Sequence, residues 1–168
     1  MPANILNLPQ LMVDSVTEDG HNYHIHAHSA LEPSGCSDCK SKRIVGFGRN
    51  EQLVKDLPMH GKRVGIYFDT RRFRCKECGR TFLEKHPDFH SDRAMTSRLV
   101  AWIGAQSIKR TFASLAEETG VVEGTIRNIF HSHIEILERS VTELSPTSRT
   151  TPWLRCYQIE IRTRLQSI

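Results

Sequence analysis

The sequence has no apolar run long enough to cross a membrane, and only 38% of its 168 residues are hydrophobic. A membrane-spanning helix needs about 20 consecutive apolar residues, so we expect no membrane association. The start of the chain lacks the basic residues of a secretory signal, and we expect a cytoplasmic location. A chain with so few apolar residues builds a thin core and often depends on a metal for its stability.

Positive charge is absent from the first part of the chain. Residues 1–39 contain no Lys or Arg and five acids, whereas residues 40–80 contain twelve basic and four acidic residues. The middle block therefore has a formal charge of +8, within a net charge of +4 for the whole chain. Such a block indicates an anionic partner, with nucleic acid first among the candidates. A solvated basic face is the alternative.

Four cysteines form two matched pairs. Cys36 and Cys39 make one Cys-x-x-Cys pair, Cys75 and Cys78 make another, and 35 residues lie between the pairs. Two such pairs close a tetrahedral site of four soft ligands, which suits a structural Zn²⁺ ion. The alternatives are buried free cysteines or a redox pair, and Cys156 has no evident partner. We therefore expect Zn²⁺ as the cofactor.

The stretch between the cysteine pairs has the character of short strands. The runs Ile44 to Phe47 and Val64 to Phe68 are strand-like, and residues 57–61 contain a turn signal before the second run. Residues 71–75 alternate basic and bulky side chains into the second pair. The pattern predicts β-hairpins with metal-binding turns, which is the shape of a zinc ribbon.

Three histidines alternate with apolar residues before the first cysteine pair. His24, His26 and His28 have a spacing of two, which places them on one face of a strand. We interpret this face as the solvent side of an edge strand. A row of metal ligands is the alternative.

Several of these segments resemble a known family. DLPMHGKRV at residues 56–64, RRFRC at residues 71–75, ILNLP at residues 5–9 and the two cysteine pairs resemble the N-terminal zinc-binding region of bacterial insertion-sequence transposases of the ISL type. The resemblance covers about residues 4–140. It implies a zinc ribbon, then a helix-turn-helix, then a DDE catalytic domain with an RNase H-like fold.

The second half of the chain carries helical patterns. Met95, Leu99 and Ile103 recur at helical spacing and give one apolar face, and Ser91 or Asp92 is our candidate for the N-cap of that helix. The pattern continues into two further helices and ends near residue 145, where a linker rich in Ser, Thr and Pro begins.

Residues 111–130 have the pattern of a helix-turn-helix. Ala116 is small enough for two helices to cross closely, and Gly120 permits a left-handed turn between them. Ile126 and Ile129 would then pack against Leu115. An ordinary helical hairpin is the alternative.

We expect DNA contacts from two regions. In a helix-turn-helix, the N-terminal part of the second helix reads base edges, and Arg127 could address guanine and Asn128 adenine. The basic block would bind phosphates. The predicted DNA-binding residues are Lys62, Arg63, Arg71, Arg72, Arg74, Glu123, Thr125, Arg127, Asn128 and His131.

The sequence has no aspartate after Asp92, although the DDE chemistry that the resemblance implies needs carboxylates to hold two divalent metals. We therefore expect no enzymatic activity and interpret the chain as the DNA-binding portion of a truncated transposase. A working nuclease would need a site built from carboxylates such as Asp14 or Asp38, which no spacing supports.

The predictions combine into an α+β protein. We expect a β-rich zinc-ribbon domain over residues 1–88, an all-α helix-turn-helix domain over residues 91–144, and a linker and tail over residues 145–168. The expected function is recognition of the terminal inverted repeats of an insertion sequence, and a small transcriptional regulator is the alternative. The expected partners are double-stranded DNA at the bacterial nucleoid and, as open alternatives, a second copy of the chain or a full-length transposase.

Overall fold

The computed structural model describes residues 5–144, with side chains up to residue 140. The predicted linker and tail over residues 145–168, including Cys156, lie outside the described residues. The elements in chain order are β1 Leu11–Glu18, β2 Asn22–Ser29, β3 Ile44–Met59, β4 Lys62–Cys75, β5 Thr81–Leu83, α1 Ser97–Ser107, α2 Phe112–Thr119 and α3 Glu123–Leu144.

The strands form one mixed sheet in the order β1-β2-β4-β3, with β5 paired to β4. Strand β2 runs parallel to β4, and the other neighbouring pairs are antiparallel. Strands β3 and β4 form a long hairpin that closes at His60 and Gly61, between the paired residues Met59 and Lys62. Both turn residues have positive φ, 51° and 74°, as a two-residue type I′ turn requires.

The structure differs from two expectations about the strands. The predicted runs at residues 64–68 and 71–75 are parts of one strand, β4, because Asp69 and Thr70 between them continue the ladder with β3. The histidine strand, β2, is not an edge strand. It pairs with β1 on one side and with β4 on the other, and its parallel pairing with β4 leaves no signal in the local sequence.

Two apolar clusters form the core. The first lies on one face of the sheet, where Ile25, Val54, Ile66 and Phe68 are fully buried. The second lies among the helices and contains the predicted apolar face of α1, namely Met95, Leu99 and Ile103. It also contains residues of the other two helices and of the turn between them, namely Leu115, Val121, Ile126 and Ile129. Leu57 of β3 packs against this second cluster, so the helices share their core with the hairpin.

A buried ion pair joins the hairpin to α1. The Asp56 carboxylate accepts hydrogen bonds from Arg98, with Nε at 2.8 Å, and from the Thr96 hydroxyl at 2.6 Å. Thr96 is the N-cap of α1 and accepts the Leu99 amide at 3.3 Å. Our prediction of Ser91 or Asp92 as the N-cap was wrong, because the chain from residue 91 first pairs with β3 through Met95.

The architecture is α+β, a mixed sheet with three helices, as the sequence indicates. The chain divides into two compact units after Ser132, and the sheet, α1 and α2 belong to the first unit. No helix among the described residues is both long enough and apolar enough to span a bilayer.

Candidate metal centre and nucleic-acid interface

The four predicted cysteines lie together at the open end of the β3–β4 hairpin. Their Sγ atoms are all within 4.8 Å of one another, with 3.7 Å between Cys36 and Cys78 and 3.5 Å between Cys39 and Cys75. Zn–S bonds of about 2.3 Å give a tetrahedron with sulfur–sulfur edges of about 3.8 Å. The quartet therefore fits a Zn²⁺ ion with no open coordination position, and such an ion would supply structural cross-linking.

The two pairs have the same backbone geometry. The carbonyl of Cys36 accepts the Lys40 amide at 3.1 Å, and the carbonyl of Cys75 accepts the Gly79 amide at 3.1 Å. Each first cysteine also donates its own amide to a carbonyl five residues later, Cys36 to Ser41 and Cys75 to Arg80, both at 2.9 Å. The quartet is thus built from two equivalent turns, which bring four sulfur atoms to one point.

The electrostatics of the quartet divide it into two kinds of thiol. Amide hydrogen bonds from Cys78 and Glu77 lower the pKa of Cys75 to about 7, and amides of Cys39 and Asp38 lower the pKa of Cys36. The Ser41 amide also favours the Cys39 thiolate, but the neighbouring sulfurs and burial outweigh it and raise the pKa of Cys39 to about 12. Four thiolates this close therefore need a cation between them to ionise together.

Two ion pairs cross between the two cysteine turns. Arg43 contacts Glu77 at 2.6 Å, and Arg80 contacts Asp38 at 3.1 Å. All four side chains are largely exposed, so each pair stabilises the structure by at most about 1 kcal/mol. Arg43 and Arg80 belong to the basic block of residues 40–80, and these pairs neutralise their charges.

Helices α2 and α3 form the predicted helix-turn-helix. Gly120 ends α2 in the left-handed conformation, with φ of 67°, and donates its amide to the Ala116 carbonyl at 2.8 Å. The buried Thr119 hydroxyl donates to the Leu115 carbonyl at 2.7 Å and accepts the Val121 amide at 3.2 Å. These bonds pair the backbone groups inside the turn and stabilise this conformation.

Two cations of the β3–β4 hairpin hold the turn between α2 and α3, a role that the sequence did not predict for either of them. The ammonium group of Lys55 donates to the Gly120 carbonyl, and Arg63 Nε donates to the Glu117 carbonyl at 2.9 Å. Burial lowers the pKa of Lys55, with a further contribution from the nearby charge of Arg63. Neither partner could be identified from the sequence, because 54 residues separate Arg63 from Glu117 and 65 separate Lys55 from Gly120.

The predicted base-reading residues lie at the start of α3. Glu123, Arg127, Asn128 and His131 are exposed, and Thr125 is half-buried. This helix begins after Val122, whose carbonyl accepts the Ile126 amide at 3.1 Å. The apolar side chain of Val122 has no acceptor atom, so it cannot cap the helix as a Ser or Thr would. The exposed positions recur three and four residues apart, so they share one side of the helix.

The predicted phosphate-binding residues of the hairpin fall into two groups. Lys62 contacts Glu18 at 3.1 Å, Arg63 is held by α2, and Arg71 forms a two-pronged ion pair with Glu84 at 2.6 and 2.9 Å. Arg72 and Arg74 are exposed and have no carboxylate partner among the described side chains. Their DNA contacts and those of α3 remain predictions, and the structure brings the two sets to different ends of the hairpin.

The histidine row does not form a metal site among the described residues, where the cysteine quartet is the one group with suitable geometry. Instead each histidine faces a carboxylate, with His24 at 3.1 Å from Asp19 and His28 at 2.9 Å from Asp14. His26 lies 3.4 Å from Glu51. The row is the outer face of a central strand.

Comparison with protein families gives two matches. Residues 32–78 match the zinc-finger of transposase IS204/IS1001/IS1096/IS1165, and residues 84–134 match the helix-turn-helix domain of transposase family ISL3. No curated protein and no solved structure matches the chain. The first match contains the cysteine quartet, the second contains the turn at Gly120, and together they cover more than half of the chain. Residues 32–78 and 84–134 are therefore similar, in that order, to the zinc-ribbon and the helix-turn-helix domains of ISL3-family transposases.

Proposed function

We propose that this chain recognises the terminal inverted repeats of an insertion sequence through its helix-turn-helix. The observation that carries the proposal is the start of α3, where four of the five predicted base-reading side chains are exposed behind a turn that Gly120 and Thr119 fix. A helix presented in this way can enter the major groove with its N-terminal residues at the base edges.

The proposed role is binding, with no strand chemistry. The similarity of the matched regions to a zinc-finger and a helix-turn-helix domain of transposases supports a binding role, and the carboxylate of Asp56 is already paired with Arg98 in holding the fold. In this proposal the zinc ribbon stabilises the hairpin, the hairpin holds the helix-turn-helix, and α3 reads the sequence. Action at the nucleoid in the cytoplasm, and association with a second copy or a full-length transposase, are parts of the same proposal.

Arg127 and Asn128 carry the specificity in this proposal. Arg127 can donate two hydrogen bonds to guanine, and Asn128 can pair with the donor and acceptor of adenine. Each such contact discriminates against the wrong base by about 1–3 kcal/mol, which corresponds to about a 5- to 150-fold loss of affinity. The guanidinium of Arg127 also lies 5.9 Å from the centre of the Phe112 ring, which orients it in the free protein.

The test is a fluorescence anisotropy titration with two duplexes, one carrying a terminal repeat of the element that encodes the chain and one with the same bases scrambled. Arg127→Ala and Asn128→Ala should weaken binding to the repeat and leave binding to the scrambled duplex unchanged. Arg139→Ala is the matched control, because Arg139 is an exposed arginine further along α3 whose ion pair among the described side chains is with Glu135, at 3.9 Å.

Equal affinity of the unmodified chain for both duplexes would remove the claim of sequence recognition. Tighter binding to promoter fragments than to element ends would instead favour the transcriptional regulator.

A further inference from the structure

An exposed aromatic ring lies beside two arginines near the zinc end of the hairpin. The guanidinium carbons of Arg72 and Arg74 lie 5.7 and 5.8 Å from the centre of the Phe47 ring. Phe47 is 49% exposed, although it is a large apolar residue. These three residues are called the Phe47 patch. Both arginines lie on one face of β4, because they are two residues apart in the strand.

The backbone at this point is irregular. The pairing of β3 with β4 shifts between Gly46 and Arg49, which is a β-bulge that contains Phe47 and Gly48. Gly48 has φ of 107°, and a Cβ at either Gly46 or Gly48 would meet nothing within 4 Å. Bulges re-aim side chains, and here the bulge presents Phe47 with open space on both sides. A bulky partner can therefore approach the ring and its two arginines closely.

The charge of the patch is uncompensated, unlike that of its neighbours. Arg49 is paired with Asp69 at 2.5 Å, and Arg43 and Arg80 are paired across the cysteine turns. Within the part of the chain that the structure describes, Arg72 has a neutral hydrogen bond to the Thr81 hydroxyl at 3.3 Å, and neither Arg72 nor Arg74 forms an ion pair. Two adjacent guanidiniums without a counterion are suited to phosphate oxygens, which they can bind with two hydrogen bonds each.

The distance from the patch to the helix-turn-helix is set by one strand. Arg63, near the start of β4, donates to α2 and lies with its aliphatic part against Gly120. Eleven residues further along the same strand is Arg74, directly before Cys75. At about 3.3 Å per residue, Arg72 and Arg74 lie about 30 and about 36 Å along the strand from Arg63. One turn of B-DNA is about 34–36 Å.

We propose that the Phe47 patch is a second contact with duplex DNA, about one helical turn from the base pairs that α3 reads. The patch binds backbone phosphates through Arg72 and Arg74, and the Phe47 ring holds both guanidiniums in position by cation–π contact. This inference rests on the proposed function, because the spacing is measured from the helix-turn-helix. It assigns the zinc ribbon a place on the DNA in addition to its role in the fold.

The experiment measures the salt dependence of binding to the terminal-repeat duplex. The double variant Arg72→Gln with Arg74→Gln should reduce the magnitude of the log-affinity against log-salt slope by about 1.8, since each lost phosphate contact removes about 0.9. At about 0.1 M salt this slope difference corresponds to an affinity loss on the order of tens-fold. Zinc content and circular dichroism should be unchanged.

Two further variants sharpen the test. Arg49→Gln removes a cation of the same hairpin that is already neutralised by Asp69, so it should leave the slope nearly unchanged. Phe47→Leu keeps both arginines and removes the ring, so it should lower affinity less than the double variant does. Phosphate ethylation of the duplex should show interference about 10 base pairs from the α3 site with the unmodified chain and none there with the double variant.

The outcomes separate this inference from the proposed function. If the double variant binds the repeat with unchanged affinity and slope while Arg127→Ala still binds weakly, the patch is not a DNA contact and the helix-turn-helix still is one. If the patch-dependent interference lies within a few base pairs of the α3 site, the one-turn spacing is wrong. If the unmodified chain binds neither duplex, the proposed function fails, and this inference fails with it.

Discussion

Lys40 and Gly79 occupy equivalent positions in the two cysteine turns. Each directly follows the second cysteine of its pair, and each donates its amide to the carbonyl of the first cysteine at 3.1 Å. Both have left-handed backbone conformations, with φ of 61° at Lys40 and 72° at Gly79. One turn therefore has the residue that tolerates this conformation without cost, and the other has a residue that does not.

This equivalence predicts opposite effects of two substitutions. Gly79→Ala should lower the free energy of unfolding of the zinc-loaded protein by about 1 kcal/mol, since a left-handed conformation costs an L-residue about that much. A Cβ at Gly79 would meet nothing within 4 Å, so the loss is one of backbone conformation alone. Lys40→Gly should raise the free energy of unfolding by up to about 1 kcal/mol. Urea unfolding measures both.

Gly20→Ala is the control for this pair, because Gly20 also has open space around it and is not among the glycines with positive φ. It should be neutral or slightly stabilising. A Lys40→Gly variant that is clearly less stable than the unmodified chain would contradict the equivalence of the two turns.

Removal of the metal should release one end of the sheet and leave the other end folded. The quartet closes the open end of the hairpin, whereas Ile66 and Phe68 of the same strand are held in the sheet core. With a chelator we expect amide exchange to rise over residues 34–47 and 72–83 and to stay slow over residues 97–130. Mass spectrometry of exchanged peptides measures this difference.

Metal content supplies the control for the chelator experiment. The unmodified chain and Cys156→Ser should each bind one Zn²⁺ per chain, because four thiolates suffice, and Cys75→Ser should bind less than one. A protein whose exchange pattern does not change on chelation would show that zinc has no structural role in the ribbon.

The buried Asp56 should be the most sensitive carboxylate of the hairpin. Asp56→Ala leaves Arg98 without its counterion and removes the acceptor of the Thr96 hydroxyl. Breaking a buried pair in this way costs about 3–5 kcal/mol, and α1 should loosen from β3. Asp69→Ala breaks the exposed pair with Arg49 on the same hairpin and should cost about 1 kcal/mol or less. Equal losses for the two variants would exclude a docking role for Asp56.

The pair formed by Arg71 and Glu84 predicts how stability depends on pH. Burial works to raise the pKa of Glu84, but the hydrogen bonds from Arg71 and Ser29, together with the charge of Arg71, outweigh it and hold that pKa below its ordinary value. A carboxylate with a lowered pKa stabilises the fold fully above its unfolded pKa, about 4.3, and the stability is lost as the pH falls through the folded value.

The measurement is the urea midpoint of the unmodified chain and of Glu84→Gln between pH 6 and pH 3. The difference between the two chains should be largest at pH 6 and should shrink as the pH falls below about 4.3. Loss of zinc in acid affects both chains and cancels in the difference. A gap that stays constant down to pH 3 would contradict the pKa shift.

The cysteine quartet and the turn at Gly120 could be predicted from the sequence because each depends on residues close together in the chain. A Cys-x-x-Cys pair is a local signal, and so is a glycine four residues after a small residue, as Gly120 is after Ala116. The first predicted the cysteine quartet and the second predicted the left-handed turn. The strand alternation of His24 to His28 was readable for the same reason. Its place in the centre of the sheet was not, because the pairing of β2 with β4 joins residues about 41 positions apart.

The tertiary partners of the charged residues could not be predicted from the sequence. We predicted that Lys62, Arg63 and Arg71 bind phosphates. In the structure their partners are Glu18, the Glu117 carbonyl and Glu84, in that order. Asp56 and Arg98 likewise form their pair across 42 residues. Counting charge in a segment therefore overestimates what the folded surface offers. Arg72 and Arg74 are distinguished from their neighbours only when the tertiary structure is known.

The hairpin turn at His60 and Gly61 also orders the events of folding. A two-residue turn brings the nearest strand residues together first, and hairpins of this kind close in microseconds. The cysteines lie at the far end of both strands, so their four sulfur atoms should meet last. Metal capture would then complete the ribbon instead of initiating it, and uptake followed with a zinc-sensitive dye should lag behind strand formation.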